Sequence, residues 1–136
     1  MIDLKAKSEQ FAELISQAQT HLRMTSEEVA KMTGINPKRL ASLLRREKIF
    51  TRAEVQVLSV MLGIGLDRLF PLDIKDSEVQ RLYRELRKQG IGLIAPLEGC
   101  SNTNKISQLE FERAVVRLNY CASSLAQFPI EAKYKT

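Results

Sequence analysis

The chain of 136 residues contains no tryptophan, one histidine and two cysteines, and only six glycines and four prolines interrupt it. Each shortage excludes something. A lone histidine, His21, supplies no histidine-based catalytic set, and a surface or half-buried structural role in the first helix accounts for it. Cys100 and Cys121 have no metal-ligand spacing, and two thiols build no disulfide framework. They read as reduced thiols of a cytosolic protein, with a Cys100–Cys121 disulfide as the alternative. Gly90-Ile91-Gly92 is not a phosphate loop, because it lacks the third glycine and the strand-before, helix-after setting. Apolar runs such as Val60-Met61-Leu62 fall far short of the roughly 20 residues that span a bilayer. The N-terminus, Met1 to Lys5, turns polar at once and lacks the apolar core of a signal peptide. Aspartates and glutamates stand at helix starts, where capping explains them. The expectation is a cytoplasmic protein with no membrane segment, no metal, no cofactor and no enzymatic activity.

What is present is an ordinary globular composition, 44% hydrophobic and 27% charged, with an uneven distribution of charge. Residues 37–52 hold Lys38, Arg39, Arg45, Arg46, Lys48 and Arg52 against one acid, Glu47. That local excess equals the formal net charge of the whole chain, +5. A basic cluster in an otherwise neutral protein points to a polyanion site, unless it is merely a solvated face. Its position in the fold decides between the two.

Helical periodicity runs through the first half. Phe11, Leu14, Ile15, Ala18 and Leu22 recur at three- and four-residue steps, which predicts a helix over 8–22. Thr25 and Glu28 form a capping box for a second helix, and Gly34 ends it. Asn36-Pro37 opens a third, asparagine as cap and proline at the first helical position. Thr51 and Glu54 open a fourth, with Val55, Leu58, Val60, Met61 and Leu62 as its apolar positions and Gly63 as its stop. A short helix over 66–70 follows, closed by Pro71. Beyond it, Asp76 is expected to cap a helix over 77–89. Residues 91–97 read as a buried strand or an apolar loop, and 99–104 as a turn. A helix over 106–126 carries Phe111, Val115, Leu118, Ala122 and Leu125 at heptad-like steps, with Leu109, Val116 and Tyr120 beside them. The tail from Ile130 is expected to fray.

Residues 26–45 form one constellation. Two helices that cross steeply over a short turn need a small residue at their contact, a residue without a side chain at the reversal, and apolar anchors on the second helix. Ala30, Gly34, and Leu40 with Leu43 meet these needs in order. At about 100° per residue, Leu40, Leu43 and Leu44 define an inward stripe. Lys38, Ser42 and Arg45 lie opposite, flanked by Arg39 and Arg46. Arginine and lysine donate to guanine O6 and N7, and serine pairs with base or phosphate. The helix at 37–46 therefore has the chemistry to enter a major groove, with a basic exit through Arg46, Lys48 and Arg52. Arg52 opposes the helix dipole at the start of the fourth helix. Either a phosphate docks there on Arg52, the Thr51 hydroxyl and free N–H groups, or Arg52 is a solvated arginine.

Thr25-Ser-Glu-Glu-Val-Ala-Lys-Met-Thr-Gly-Ile, the leucine-anchored third helix, and Met61-Leu-Gly-Ile-Gly-Leu-Asp-Arg-Leu-Phe70 together resemble the lambda-repressor-like family, the Cro/CI-type or XRE-type helix-turn-helix proteins. The resemblance spans about residues 8–70. It implies a five-helix DNA-binding domain that acts on operator DNA, usually as a dimer. It also implies that Ser26 touches a phosphate and that Pro37, Lys38 and Ser42 belong to the base-reading face. The match has departures: Leu44 and Arg46 stand where Glu-x-Gly is common after the recognition helix, Phe50 where a proline commonly precedes the fourth helix, and Pro37 where an amide side chain often makes the bidentate contact to adenine.

The expected architecture is all-α: a DNA-binding domain over 1–71 and a mainly helical C-terminal region over 72–136 for oligomerisation or partner binding. The expected function is a sequence-specific, repressor-like regulator that binds double-stranded DNA as a homodimer through the C-terminal helices and is nucleoid-associated when bound. The alternative is an antitoxin-like or other protein-interaction module with secondary DNA binding.

Overall fold

The computed structural model of the chain describes residues 3–89 and 107–131. The described residues contain seven helices and no strand: α1 Leu4–Leu22, α2 Ser26–Thr33, α3 Pro37–Leu44, α4 Arg52–Leu62, α5 Leu66–Leu69, α6 Asp76–Lys88 and α7 Gln108–Leu125. The chain is all-helical there, as expected. The segments expected at 91–97 and 99–104 lie outside the described residues, as does Cys100. Two compact units are present, and the first contains residues up to 69 together with residues from 124 onward. The second contains residues 70–123. Described residues 124–131 thus cluster with the first unit, whereas the expectation placed a boundary at 71/72.

Local chemistry sets most helix limits in the first unit. The Asp3 carboxylate accepts from the Ala6 N–H at 3.2 Å, so α1 begins at Leu4, a turn before the expected Ser8. Both capping boxes form, Thr25 with Glu28 and Thr51 with Glu54. Asn36 Oδ1 accepts from the Lys38 and Arg39 N–H groups at 2.8 and 3.4 Å, with Pro37 in the first turn of α3. Gly34 and Gly63 end α2 and α4 with φ of 79° and 68°. Arginine fills two further left-handed positions. Arg23 (φ 56°) ends α1, and Arg46 (φ 65°) follows the end of α3. The left-handed turn at Arg46 stops α3 at Leu44, two residues short of the expected 46.

The core of the first unit is built by α1 packing on α3, α4 and α5, and by α2 packing on α3 and α4. Phe11, Ile15, Val29, Leu40, Leu43, Phe50, Val55, Leu58, Leu69 and Phe70 have no exposed surface, the last belonging to the second unit. Burying each such side chain contributes about 1.5–3 kcal/mol relative to exposure. Phe50 meets the edge of Phe11 with ring centroids 5.0 Å apart, and its N–H donates to the buried Ser8 hydroxyl at 3.1 Å. A proline here would lack that N–H, so the departure at Phe50 has its own partner in α1. On α4 the inward stripe is Val55, Leu58, Ser59 and Leu62. Val60 and Met61, expected among the apolar contacts, fall on the other side and are exposed by 80% and 46%.

In the second unit, α6 and α7 share a core of Val79, Tyr83, Val115 and Val116, with Leu72, Ile74, Leu82, Leu86 and Phe111 at its margin. Tyr83 and Phe111 stack edge to face at 6.5 Å. Asp76 is not the cap of α6 but its first residue, and its carboxylate pairs with Arg113 of α7 at 3.1 Å. The heptad-like stripe expected on α7 is shifted: Val115 is buried, whereas Leu118 and Ala122 are exposed. The buried Cys121 thiol donates to the Phe70 carbonyl at 3.7 Å.

Left-handed backbone costs a non-glycine residue about 1–2 kcal/mol, a strain that glycine does not feel. Arg23→Gly is therefore expected to stabilise the first unit by about 0.5–1 kcal/mol after the added unfolded-state entropy is counted. Gly34→Ala, which meets no neighbouring atom but keeps φ at 79°, is expected to destabilise it by about 1 kcal/mol. Urea unfolding followed by circular dichroism checks both signs.

Candidate nucleic-acid interface

α3 has two contrasting faces. Leu40 and Leu43 are wholly buried, and Leu44 is half-buried. Opposite them, Pro37 and Lys38 are exposed, Ser42 is half-buried, and Arg45 is exposed one residue past the helix end. Lys38, Ser42 and Arg45 lie four and three residues apart, which stacks them on one stripe of the helix. α3 itself contains no acidic residue. Ser26, at the start of α2, is exposed, and its hydroxyl accepts from Gln19 Nε2 of α1 at 3.1 Å. Glu27 and Glu28 share that first turn, and the Thr25 N–H followed by its hydroxyl holds the Glu28 carboxyl below its usual range.

The other basic residues of 37–52 do not join this stripe. Arg39 turns inward. Its Nε and Nη2 donate to Glu54 at 3.0 and 2.9 Å, and Nη2 also donates to the Ile49 carbonyl at 3.2 Å. Both side chains of the pair are only 14% exposed. Glu54 also accepts from the Thr51 N–H at 2.8 Å, while the Thr51 hydroxyl accepts from the Glu54 N–H at 3.2 Å. Burial would raise the Glu54 pKa, but the hydrogen bonds from Arg39 and Thr51, with the Arg39 charge, outweigh it and lower the value. Thr51 is 5% exposed, so its hydroxyl is turned from solvent at the place where a phosphate contact was expected. For Arg52, where a docked phosphate and a solvated arginine were the expected alternatives, the structure shows protein partners. The Arg52 N–H donates to the Pro129 carbonyl at 2.8 Å and its Nη2 to the Ala126 carbonyl at 2.7 Å. Residues 126–129 thus occupy the place where the phosphate was expected.

Arg46 leaves the helix face through its left-handed turn and pairs with Glu13 of α1 at 3.1 Å. Lys48 is half-buried and lines a hollow of about 170 Å³ with Lys5, Ser8, Glu9, Arg46, Glu47 and Ile49. Arg45 pairs with Glu47 at 3.2 Å. Magnitude separates these ion pairs. Exposed pairs such as Arg45–Glu47 and Arg46–Glu13 are worth about 0–1 kcal/mol, so a phosphate can take over either arginine at little loss. Removing one partner of a buried pair costs about 3–5 kcal/mol, which keeps Arg39 on Glu54. Sequence reasoning missed the Arg39–Glu54 pair because its partners are 15 residues apart on different helices, with no local spacing to mark them.

No family model, curated protein or solved structure matches the chain. Among the described residues no helix is long and apolar enough to cross a membrane, and no group of metal-ligating side chains is present.

Because the Glu54 pKa is lowered in the folded protein, its contribution is complete above the ordinary value of 4.5 and is lost as pH falls through the lowered one. Glu54→Gln keeps a capping amide but removes the charge, and at pH 7 it is expected to cost about 2–4 kcal/mol. The gap between wild type and variant should close below pH 4.5, and Arg39→Met in the same chain should restore part of the loss. Denaturant unfolding across pH 3 to 7 measures both, and a gap that persists at low pH would count against the ion pair.

Proposed function

We propose that α2, the three-residue turn 34–36 and α3 are a helix-turn-helix of the lambda-repressor-like kind, and that the protein is a transcriptional regulator that inserts α3 into the major groove of duplex DNA. One observation carries this reading. α3 is pinned inward by Leu40 and Leu43 and presents Pro37, Lys38, Ser42 and Arg45 outward with no acid of its own. A major groove about 12 Å wide admits such a helix, and lysine, serine and arginine on its outer stripe match base edges and phosphates. Ser26 at the start of α2 supplies a phosphate contact, and Arg46 and Lys48 extend the positive field beyond the helix. Arg39, Thr51 and Arg52 are left out, because Arg39 is paired with Glu54, Thr51 is buried and bonded to Glu54, and the Arg52 guanidinium donates to the Ala126 carbonyl.

The regulator is proposed to act as a homodimer through the C-terminal helices, where Leu118 and Tyr120 of α7 remain exposed by 36% and 37%. The two copies of α3 would then lie about 34 Å apart, one turn of DNA. Light scattering at micromolar concentration should report a dimer.

Selection from random duplexes followed by binding titrations tests the function. The affinity should fall steeply with salt as bound counterions are released. Lys38→Ala and Arg45→Ala should each weaken binding by about 1–3 kcal/mol, near the range for a base contact, or lower the salt slope by about one if the contact is to phosphate. Arg81→Ala, in an exposed pair with Glu78 on α6, should leave binding unchanged. Equal affinity of wild type, Lys38→Ala and Arg45→Ala would overturn the reading.

A further inference from the structure

The segment after α7 is bound to the first unit at three points. Phe128 is buried to 1% exposure, and Leu125 is buried beside it in sequence. The Pro129 carbonyl accepts from the Arg52 N–H at 2.8 Å, and the Ala126 carbonyl accepts from the Arg52 guanidinium at 2.7 Å. Both carbonyls therefore converge on the first residue of α4. Turns end the segment, with Gln127 N–H on the Ser124 carbonyl and Phe128 N–H on the Leu125 carbonyl at 3.1 Å each. Ile130, just beyond, is 71% exposed.

The first turn of α4 is also the place where α3 is held. Arg52 follows Thr51, whose N–H binds the same Glu54 carboxylate that receives Arg39 of α3. A path thus runs by hydrogen bonds from Pro129 and Ala126 to Arg52, through the Thr51–Arg52 peptide bond, and again by hydrogen bonds from Thr51 to Glu54 and from Glu54 to Arg39 in the first turn of α3. Each hydrogen bond is 2.7–3.0 Å long. Arg39 is adjacent in sequence to Lys38 and shares the Asn36 cap with it.

We propose that residues 124–131 are a strap that holds the first turn of α4 and, through the Glu54–Arg39 pair, sets the order of α3. Anchored by Phe128, the docked strap completes α4 and keeps Arg39 on Glu54. When it is released, the Arg52 N–H and guanidinium lose their acceptors, the first turn of α4 frays, and α3 loses its tether at the end that carries Lys38. The strap thereby makes the outward face of α3 adjustable from the C-terminal end of the chain. The consequence for DNA affinity rests on the proposed function, but the coupling between strap and helix does not.

Amide hydrogen exchange on the full chain reads that coupling directly. Phe128→Leu and Phe128→Ala weaken the anchor in steps and leave every residue of α3 and α4 unsubstituted. Exchange at the Arg52 amide should accelerate in the order wild type, Phe128→Leu, Phe128→Ala, by about tenfold or more in the last, because local opening of a small unit is lowered in free energy without global unfolding. The Leu40 and Leu43 amides of α3 should follow in the same order, while Val79 and Tyr83 of the second unit keep their wild-type rates. If Phe128→Ala does not fold, the wild-type and Phe128→Leu comparison carries the same test. Faster exchange at Arg52 with unchanged exchange at Leu40 and Leu43 in the folded variants would overturn the proposal, and so would unchanged exchange at Arg52. In parallel duplex titrations, both variants should bind more weakly than wild type. Wild type that binds no duplex would defeat the regulator reading and leave the exchange result to decide the strap.

Discussion

The carboxylate of Glu54 holds two helices in place at once. It receives the Thr51 N–H and so completes the start of α4, and it receives two donors of Arg39 and so fastens α3 to that start. Neither task alone would explain why a glutamate tolerates a side-chain exposure of 14%. Burial opposes its charge, and the combined donors outweigh that opposition and lower its pKa. A charge pair in such a setting is a weak source of net stability but a strong constraint on geometry, because no other arrangement satisfies both partners. The orientation of α3 depends on it: with Arg39 drawn inward beside Leu40 and Leu43, the residues left outside are Pro37, Lys38, Ser42 and Arg45.

That constraint sorts a basic cluster that is uniform in the sequence. Residues 37–52 contain six cations within a short stretch, yet their surroundings differ. Arg39 is committed to Glu54 and Arg52 to main-chain carbonyls of the strap. Arg45 and Arg46 sit in exposed pairs that water and salt already weaken. Lys38 is exposed on α3 itself. The surface carries exchangeable cations beside structural ones, a distinction that the composition alone merges. The proposed strap, residues 124–131, reaches the same turn of α4 that positions the proposed reading helix.

Features governed by near neighbours were legible in advance. The two capping boxes, the Asn36-Pro37 start and the left-handed glycines at 34 and 63 depend on groups within four residues of one another, so spacing reveals them. Leu40 and Leu43 were legible because the helical period places them on one side. Periodicity failed where a helix carries more apolar residues than its neighbours cover. Val60 and Met61 on α4, and Leu118 and Ala122 on α7, belong to apolar stripes in the sequence, but the packed partner takes only Val55, Leu58 and Leu62 in the first case and Val115 and Val116 in the second. Asp76 shows the same limit for polar groups: it has the right type and place for a cap, yet its carboxylate is drawn to Arg113 on another helix.

The amino-acid sequence by itself determined the helical character of the described residues, the limits of α2 to α5 to within a residue or two, and the side of α3 that faces the core, because these follow from bonds and periodicities inside a few consecutive residues. The tertiary structure alone decided which basic residues of 37–52 stay outside, since that turns on Glu54, Glu13 and the carbonyls of 126 and 129, all remote in sequence. It also decided that residues 124–131 cluster with the first unit, where the Pro129 and Ala126 carbonyls meet Arg52. The helix-turn-helix reading that began with spacing at Ala30, Gly34 and Leu40 thus rests on a scaffold written locally, and on a charge pattern that only distant contacts could sort.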